Sequence, residues 1–506
     1  MRTVETVLFL VVVATVVATF AMRLRVPAPS LLVVAGVVVG LVPGVPTVTV
    51  TPEIVSFVVL PPLLFAAGEE LPWRDLRSVW RPVAVLSVGL VVVSAVAVAA
   101  VAVALTSLPL GTAFVLGAVL ASTDPVAVTA LGRRLSLPPR VQALVQAESL
   151  FNDATSLLLF RVALSLAVAA GSVTVGHTVG EFALLAGGGV VAGGLVAAGA
   201  FLIRRRTEDP VLETVVSLVT PYAAYVLAEA VGGSGVTAVV VASVALGTQA
   251  TRLTSATIRL QLGAVFGTVV FLLESVVFGL IGLQLPELVR RLANTGWILP
   301  AFAIAATLLV VRVLWVFPLS ALAQRRRGAR PTWQIPAVVS WAGARGVVPL
   351  AAVLSIPLAT GGRDLVLVLA TAVIVLTLVV QGFTLAPLVR RTGVALNPHD
   401  VRQEHDSARA RLAEAALAHL DELTETAPDF VVEELRQSWQ ARLDRLLAHE
   451  DGHGPAVRAY RDLRRELLAV ESAELTRLYE TGAITDATRR RIQRTLDLES
   501  AGLGEE

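Results

Sequence analysis

Apolar runs of bilayer length recur along this chain, and that recurrence leaves few folds open to it. A helix needs about 20 mainly apolar residues to cross the hydrocarbon core. Thirteen stretches meet or approach that length: 4–22, 28–43, 53–68, 82–106, 111–132, 140–168, 179–203, 211–231, 235–249, 260–284, 297–321, 334–356 and 364–389. In lipid each backbone N–H and C=O must be satisfied inside the segment, so runs of this kind become helices. The chain therefore reads as an all-α, polytopic membrane protein of about 13 transmembrane helices. A mean hydropathy of +0.75 agrees with that class.

Charge gives a second, independent count. All 41 basic residues are Arg, and their positions alternate between the two sides. One side holds Arg23 and Arg25, Arg74 to Arg81, Arg133 to Arg140, Arg204 to Arg206, Arg252 and Arg259, and Arg325 to Arg330. The other holds only Arg2, Arg290, Arg291 and Arg363. The positive-inside rule then puts the N-terminus outside. Removing one span would place each later cluster on the wrong side. Arg23-Leu24-Arg25 follows the first apolar run where a cleaved leader would have small residues, so that run reads as a retained helix. Cysteine is absent, which excludes disulfides, thiol chemistry and Cys-ligated metals.

The chain changes character near residue 396. Residues 1–395 carry 26 Arg and 16 acids, whereas residues 396–506 carry 15 Arg and 23 acids. The first part reads as a basic-edged transmembrane domain, the second as an acidic, soluble helical tail on the cytoplasmic side and a candidate regulatory element. Helical periodicity marks 402–424, 430–450, 456–480 and 485–499. Leu435, Trp439, Leu443 and Leu446 form a packing stripe. Five of the six histidines lie in the tail without clustering, and read as solvated.

Two spans contain breakers. The fifth holds Ser122-Thr123-Asp124-Pro125, and the twelfth holds Gly343-Ala344-Arg345-Gly346-Val347-Val348-Pro349. Proline removes a backbone donor and glycine weakens a helix. Freed backbone groups are tolerable in a membrane only where they are buried in protein or line a cavity. The breaks are seven spans apart, which fits inverted repeats of helices 1–6 and 8–13. Matched broken helices point to a transport site.

The sixth span carries Glu148-Ser149-Leu150-Phe151-Asn152-Asp153. A charge at the bilayer centre costs about 2.5–3.5 kcal/mol on insertion scales, so it marks a functional site by default. Ser149 and Asp153 are four apart, as are Glu148 and Asn152, which predicts one polar stripe. With Thr123 and Asp124 at the break, that stripe could form an oxygen cage for a hard cation. Arg312 lies deep in the eleventh span and needs a buried partner, with Glu148 and Asp153 as candidates. If Glu148 takes it, Asp153 has no fixed cation and can hold either a proton or a metal ion. Glu274 reads as a second polar partner or a cavity-lining group. Glu69, Glu70 and Asp75 read as solvated, and Arg161 and Glu229 as interfacial. A cysteine placed at Ser156 is expected to meet water.

These motifs, together with Leu60-Pro61-Pro62-Leu63-Leu64-Phe65 and Phe271-Leu272-Leu273-Glu274, resemble the monovalent cation:proton antiporter-1 family, of bacterial NhaP and animal NHE type. The resemblance covers residues 1–395. It implies an electroneutral sodium/proton antiporter working by alternating access, with Asp153 as the ion-binding and proton-carrying carboxylate. It further implies that Asn152 marks electroneutral exchange, that Glu148 pairs with Arg312, and that Thr123 and Asp124 line the helix crossing with Arg345 as its charge. Asp153, Thr123 and Ser149 would hold the transported Na+. Li+ or K+ could take its place, and H+ is the counter-substrate. A homodimer in the lipid of the plasma membrane is implied, with no cofactor, no nucleic-acid partner and no enzymatic activity. Glu274 departs from the family, in which a neutral residue, often Asn, is expected. A channel or sensor on this scaffold is one rival. An intramembrane hydrolase using Asp124 and Asp153 is another, but no His or nucleophile motif lies in the spans.

Overall fold

The computed structural model describes residues 12–13, 15–17, 19–20, 27–42, 55–125, 137–168, 175–207, 209–249, 255–291, 296–326, 330, 332–357, 360–423, 428–450, 454–481 and 483–505. Among them there are helices and connections and no strand. Most of the first expected span lies outside this set. So do residues 126–132 of the fifth, and Arg2, Arg23, Arg25, Arg133, Arg134, Arg252 and Arg327.

Two compact units divide the chain, Met1–Ala395 and Leu396–Glu506. In chain order the first contains α1 (Ala28–Gly40), α2 (Leu60–Glu69), α3 (Trp73–Ala84), α4 (Val91–Leu105), α5 (Leu110–Leu120), α6 (Pro139–Val168) and α7 (Val175–Arg204). It continues with α8 (Pro210–Ala230), α9 (Gly235–Gly247), α10 (Ala256–Arg291), α11 (Ile298–Arg326), α12 (Gln334–Trp341), α13 (Val347–Leu354) and α14 (Arg363–Thr392). Among the described residues, seven helical stretches are long and apolar enough to cross a membrane, and four shorter apolar helices accompany them. Eleven to fourteen residues of helix rise only about 16–21 Å, less than the bilayer core. Such helices suit positions buried among longer ones.

Local chemistry sets the ends. Asp209 starts α8, its carboxylate accepting from the N–H of Val211 (2.7 Å) and of Leu212 (3.0 Å), with Pro210 at the first helical position. Ser234 caps α9 in the same way. The fourth span starts earlier than its apolar run. The helix begins at Trp73 and continues through a π-helical turn, Val85–Leu90, into α4. Leu76, Val79 and Val83 bury one face of α3, so Arg74, Arg77 and Arg81 ride on a helix rather than a loop.

Close helix approach replaces hydrophobic collapse as the packing force, because lipid tails are as apolar as the side chains. A Cβ at Gly36 on α1 would strike the carbonyl of Gly279 on α10, and one at Gly282 would strike the carbonyl of Val33. The core gathers α2, α5, α6, α9, α10, α13 and α14 around buried Phe65, Leu116, Val239, Phe278, Leu350 and Leu369.

The second unit comprises α15 (Pro398–Glu422), α16 (Asp429–Glu450), α17 (Gly454–Glu480) and α18 (Asp486–Glu505). Ala410, Ala413 and Leu443 form one small core with Leu417 and Trp439, and Leu468, Leu475 and Leu496 another with Ile484. The expected stripe is thus half realised: Leu435 is exposed, and the side chain of Leu446 lies outside the described residues. His399, His405 and His419 are exposed.

Candidate functional site

The two breaks meet. The chain leaves α5 after Leu120, and the N–H of Asp124 donates to the carbonyl of Ala344, at 2.7 Å, in the link between α12 and α13. Gly346 allows the approach, because a Cβ there would collide with the Asp124 carboxylate. Asp124 thus lies at the N-terminal end of α13, where the helix dipole favours negative charge. Arg345 does the converse. Its Nε donates to the carbonyl of Leu120 at 2.8 Å and its Nη1 to that of Gly343, so a buried guanidinium serves the carbonyl ends of both interrupted helices. Its backbone N–H donates to Thr377 Oγ1 at 3.2 Å. Among the described residues Arg345 makes no ion pair.

Helix α6 passes beside this crossing. Asn152 donates from Nδ2 to Thr123 Oγ1 at 2.7 Å and accepts from the Thr123 N–H at 3.3 Å. The hydroxyls of Ser149 and Thr123 lie 3.2 Å apart. Glu148 turns away to Arg312 on α11: Nη2 donates to Oε2 at 2.8 Å and Nη1 to Oε1, a two-pronged pair. Arg312 Nε also donates to the Val339 carbonyl at 3.1 Å. Both side chains are buried.

Asp153 is buried too, but among the described residues it makes no ion pair. It lies in the wall of a cavity of about 790 Å³. Thr123, Asp124 and Asp153 lie at the deep end of that cavity, and the exposed Glu70 and Arg259 at its rim. Gly263, Gly267, Val270 and Glu274 form a stripe of α10 along one wall. Glu274 is therefore a cavity-lining group.

Several expectations need correction. The four polar residues of α6 do not share one face. At about 100° per residue Glu148 and Asp153 diverge by about 140°, so they meet different neighbours. Ser149 is fully buried behind Thr123 and does not line the cavity. Ser156 is buried as well, its hydroxyl donating to the Ala118 carbonyl at 2.7 Å, because α5 packs there. Glu69 is not solvated: it lines the cavity and faces Arg204. In the sequence Arg204 counts only as one of three arginines on the Arg-rich side. It is buried between Glu213, at 3.0 Å, and Glu69, at 3.4 Å. Arg161 and Glu229 pair with each other, half-exposed. Glu213, the third residue of the 211–231 span, was the available signal for the triad.

Residues 10–391 match the family model described as sodium/hydrogen exchanger, transmembrane. The chain belongs to that family, a family of transporters. It is 30% identical to the Na+/H+ antiporter ApNhaP of Aphanothece halophytica over 90% of this chain and 86% of that one. It is 34% identical to an uncharacterised Na+/H+ exchanger of Mycobacterium tuberculosis over 95% of this chain and 92% of that one. Among solved structures, the sodium proton antiporter MjNhaP1 of Methanocaldococcus jannaschii shares the fold at a TM-score of 0.64 and 21% identity, covering 78% of this chain and 99% of that one. Family membership and the fold establish a multi-pass membrane protein.

Proposed function

We propose that this chain exchanges Na+ for H+ across the plasma membrane, with Asp153 as the alternating carboxylate. One observation carries the reading: a buried carboxylate that makes no ion pair among the described residues sits at the deep end of a cavity, beside Thr123 and Asp124. The neighbouring Glu148 is occupied by Arg312 and is not available for transport. Asp153 can hold a proton or a cation, and the two compete for one charge. Thr123 Oγ1 and the Asp124 carboxylate supply further oxygen for Na+ as transported substrate, with Ser149 placed to join when Thr123 moves. Asn152 contributes no charge and braces Thr123, so one proton exchanges for one monovalent cation.

Alternating access follows from a site at the crossing of two broken helices. The cavity rim carries Arg259, with Arg204 in its wall, and these belong to the Arg-rich side. By the positive-inside rule the cavity faces the cytoplasm, with the N-terminus outside and the 396–506 tail inside. The functional unit is a homodimer in the lipid bilayer.

Reconstituted protein with a trapped pH dye tests this. Adding Na+ should collapse an imposed pH gradient, Li+ and K+ in turn should rank the cations, and an imposed voltage should leave the end point unmoved. No dye response to any of the three cations, or a voltage-dependent end point, would overturn electroneutral exchange.

A further inference from the structure

The wall of the cavity contains a charge that a cation pathway should not tolerate. Arg204 ends α7 with its guanidinium buried in the cavity wall. A cleft lined by one sign of charge focuses its field and sets the local concentration of counter-ions. An unmasked guanidinium at that position would push cations out of the path. Two carboxylates answer it from different helices. Glu213 on α8 accepts from Nε at 3.0 Å, and Glu69 at the end of α2 accepts from Nη1 at 3.4 Å. The two roles differ. The Glu213 side chain is fully buried, whereas that of Glu69 is 18% exposed and itself lines the cavity. Glu69 is also held in place: Gly247, ending α9, packs against its backbone so closely that a Cβ there would lie 2.8 Å from the Glu69 carbonyl oxygen.

We infer that the Glu69–Arg204–Glu213 triad is an electrostatic mask over the entry path, and that Glu69 is a positioning residue setting the apparent affinity for the incoming cation. Glu213 neutralises Arg204 from behind. Glu69 adds the surplus negative charge on the cavity side, alongside Glu70 and opposite Arg259. Cations are thereby drawn toward Asp153 without a fixed binding site at the mouth. The inference rests on the exchange reading above.

Glu69→Gln removes the charge and keeps an amide oxygen to accept from Arg204. At about 10 mM ionic strength, where screening reaches about 30 Å, KM for Na+ should rise about fivefold with kcat unchanged. Raising ionic strength to about 0.15 M with an impermeant organic salt shortens screening to about 8 Å and should shrink the difference. Glu69→Asp should restore the wild-type KM. A structural role would instead lower kcat or thermal stability with no dependence on salt. An unchanged KM, or a shift equal at both ionic strengths, overturns the proposal. If Glu69→Gln melts early, the wild-type protein decides: its KM must rise with ionic strength, and a salt-independent KM overturns the mask. Wild-type protein that gives no Na+-driven proton flux would instead refute the exchange reading.

Discussion

Two faces of α6 handle the same chemical group in opposite ways. On one, Glu148 is closed off by a two-pronged pair with Arg312. On the other, little more than a turn away, Asp153 faces a cavity and makes no ion pair among the described residues. Burial alone therefore does not make a carboxylate a transport group. Both side chains are buried, and the difference lies in what the neighbouring helix offers. Helix α11 offers a guanidinium, whereas α5 and α13 offer a hydroxyl, a carboxylate and the end of a helix. The paired face can hold the bundle together because its charge never has to change. Under the exchange proposed above, the unpaired face works because its charge is left for the cargo to balance.

The sharpest way to break this comparison is Asp153→Asn. It removes the titrating group and keeps the size of the side chain. Exchange should fall to the rate of protein-free liposomes while the variant still inserts and melts cooperatively. Asn152 beside it serves as the contrast: Asn152→Ala loses a brace on Thr123 and should weaken exchange without abolishing it. Residual wild-type-like exchange in Asp153→Asn would move the working group elsewhere, with Asp124, Glu274, Glu69 and Glu70 the other carboxylates of the cavity.

Next in size is the paired face. Removing one member of a buried pair strands the other charge, at a cost of about 3–5 kcal/mol. Glu148→Ala and Arg312→Ala should each lower the unfolding midpoint steeply. The double replacement should recover part of that loss, because no lone charge remains. Strict additivity in a double-mutant cycle would contradict the contact. Here Arg312→Ala carries an extra loss, since its Nε also serves the Val339 carbonyl beside the broken helix.

Some of this was legible in the sequence and some was not, for physical reasons. Arg312 stands alone deep in an apolar run and needs a buried partner, and the sixth span offers Glu148 and Asp153 for it. The breaks were legible because Pro125, Gly343, Gly346 and Pro349 cannot be absorbed into continuous helices. Arg204 was hidden by its company: next to Arg205 and Arg206 it reads as an interfacial cluster. Only the α7–α8 turn, which brings Glu213 alongside, shows that it points inward. The polar stripe of α6 failed because its four residues spread over about 140° of the helix and so meet different neighbours. Thr123 claims Ser149 and Asn152 from the side, so they hold the crossing together rather than line the water path.

The smallest expected effect belongs to a third charge on α6. Arg161, two turns beyond Asp153, pairs with Glu229 at the end of α8, and each side chain is 36% exposed. An exposed pair of this kind contributes about 0.2–1 kcal/mol, since water already solvates both partners. Arg161→Gln should therefore shift the unfolding midpoint by a small fraction of what Arg312→Ala does, and leave exchange intact. Glu229→Ala should cost somewhat more than Arg161→Gln, because Glu229 also accepts from the Gly235 N–H at 3.2 Å at the start of α9. The ranking separates pairing from burial as the source of the cost. If Arg161→Gln destabilises as much as Arg312→Ala, ion pairing as such is what α6 depends on. The contrast between its two faces would then lose its physical basis.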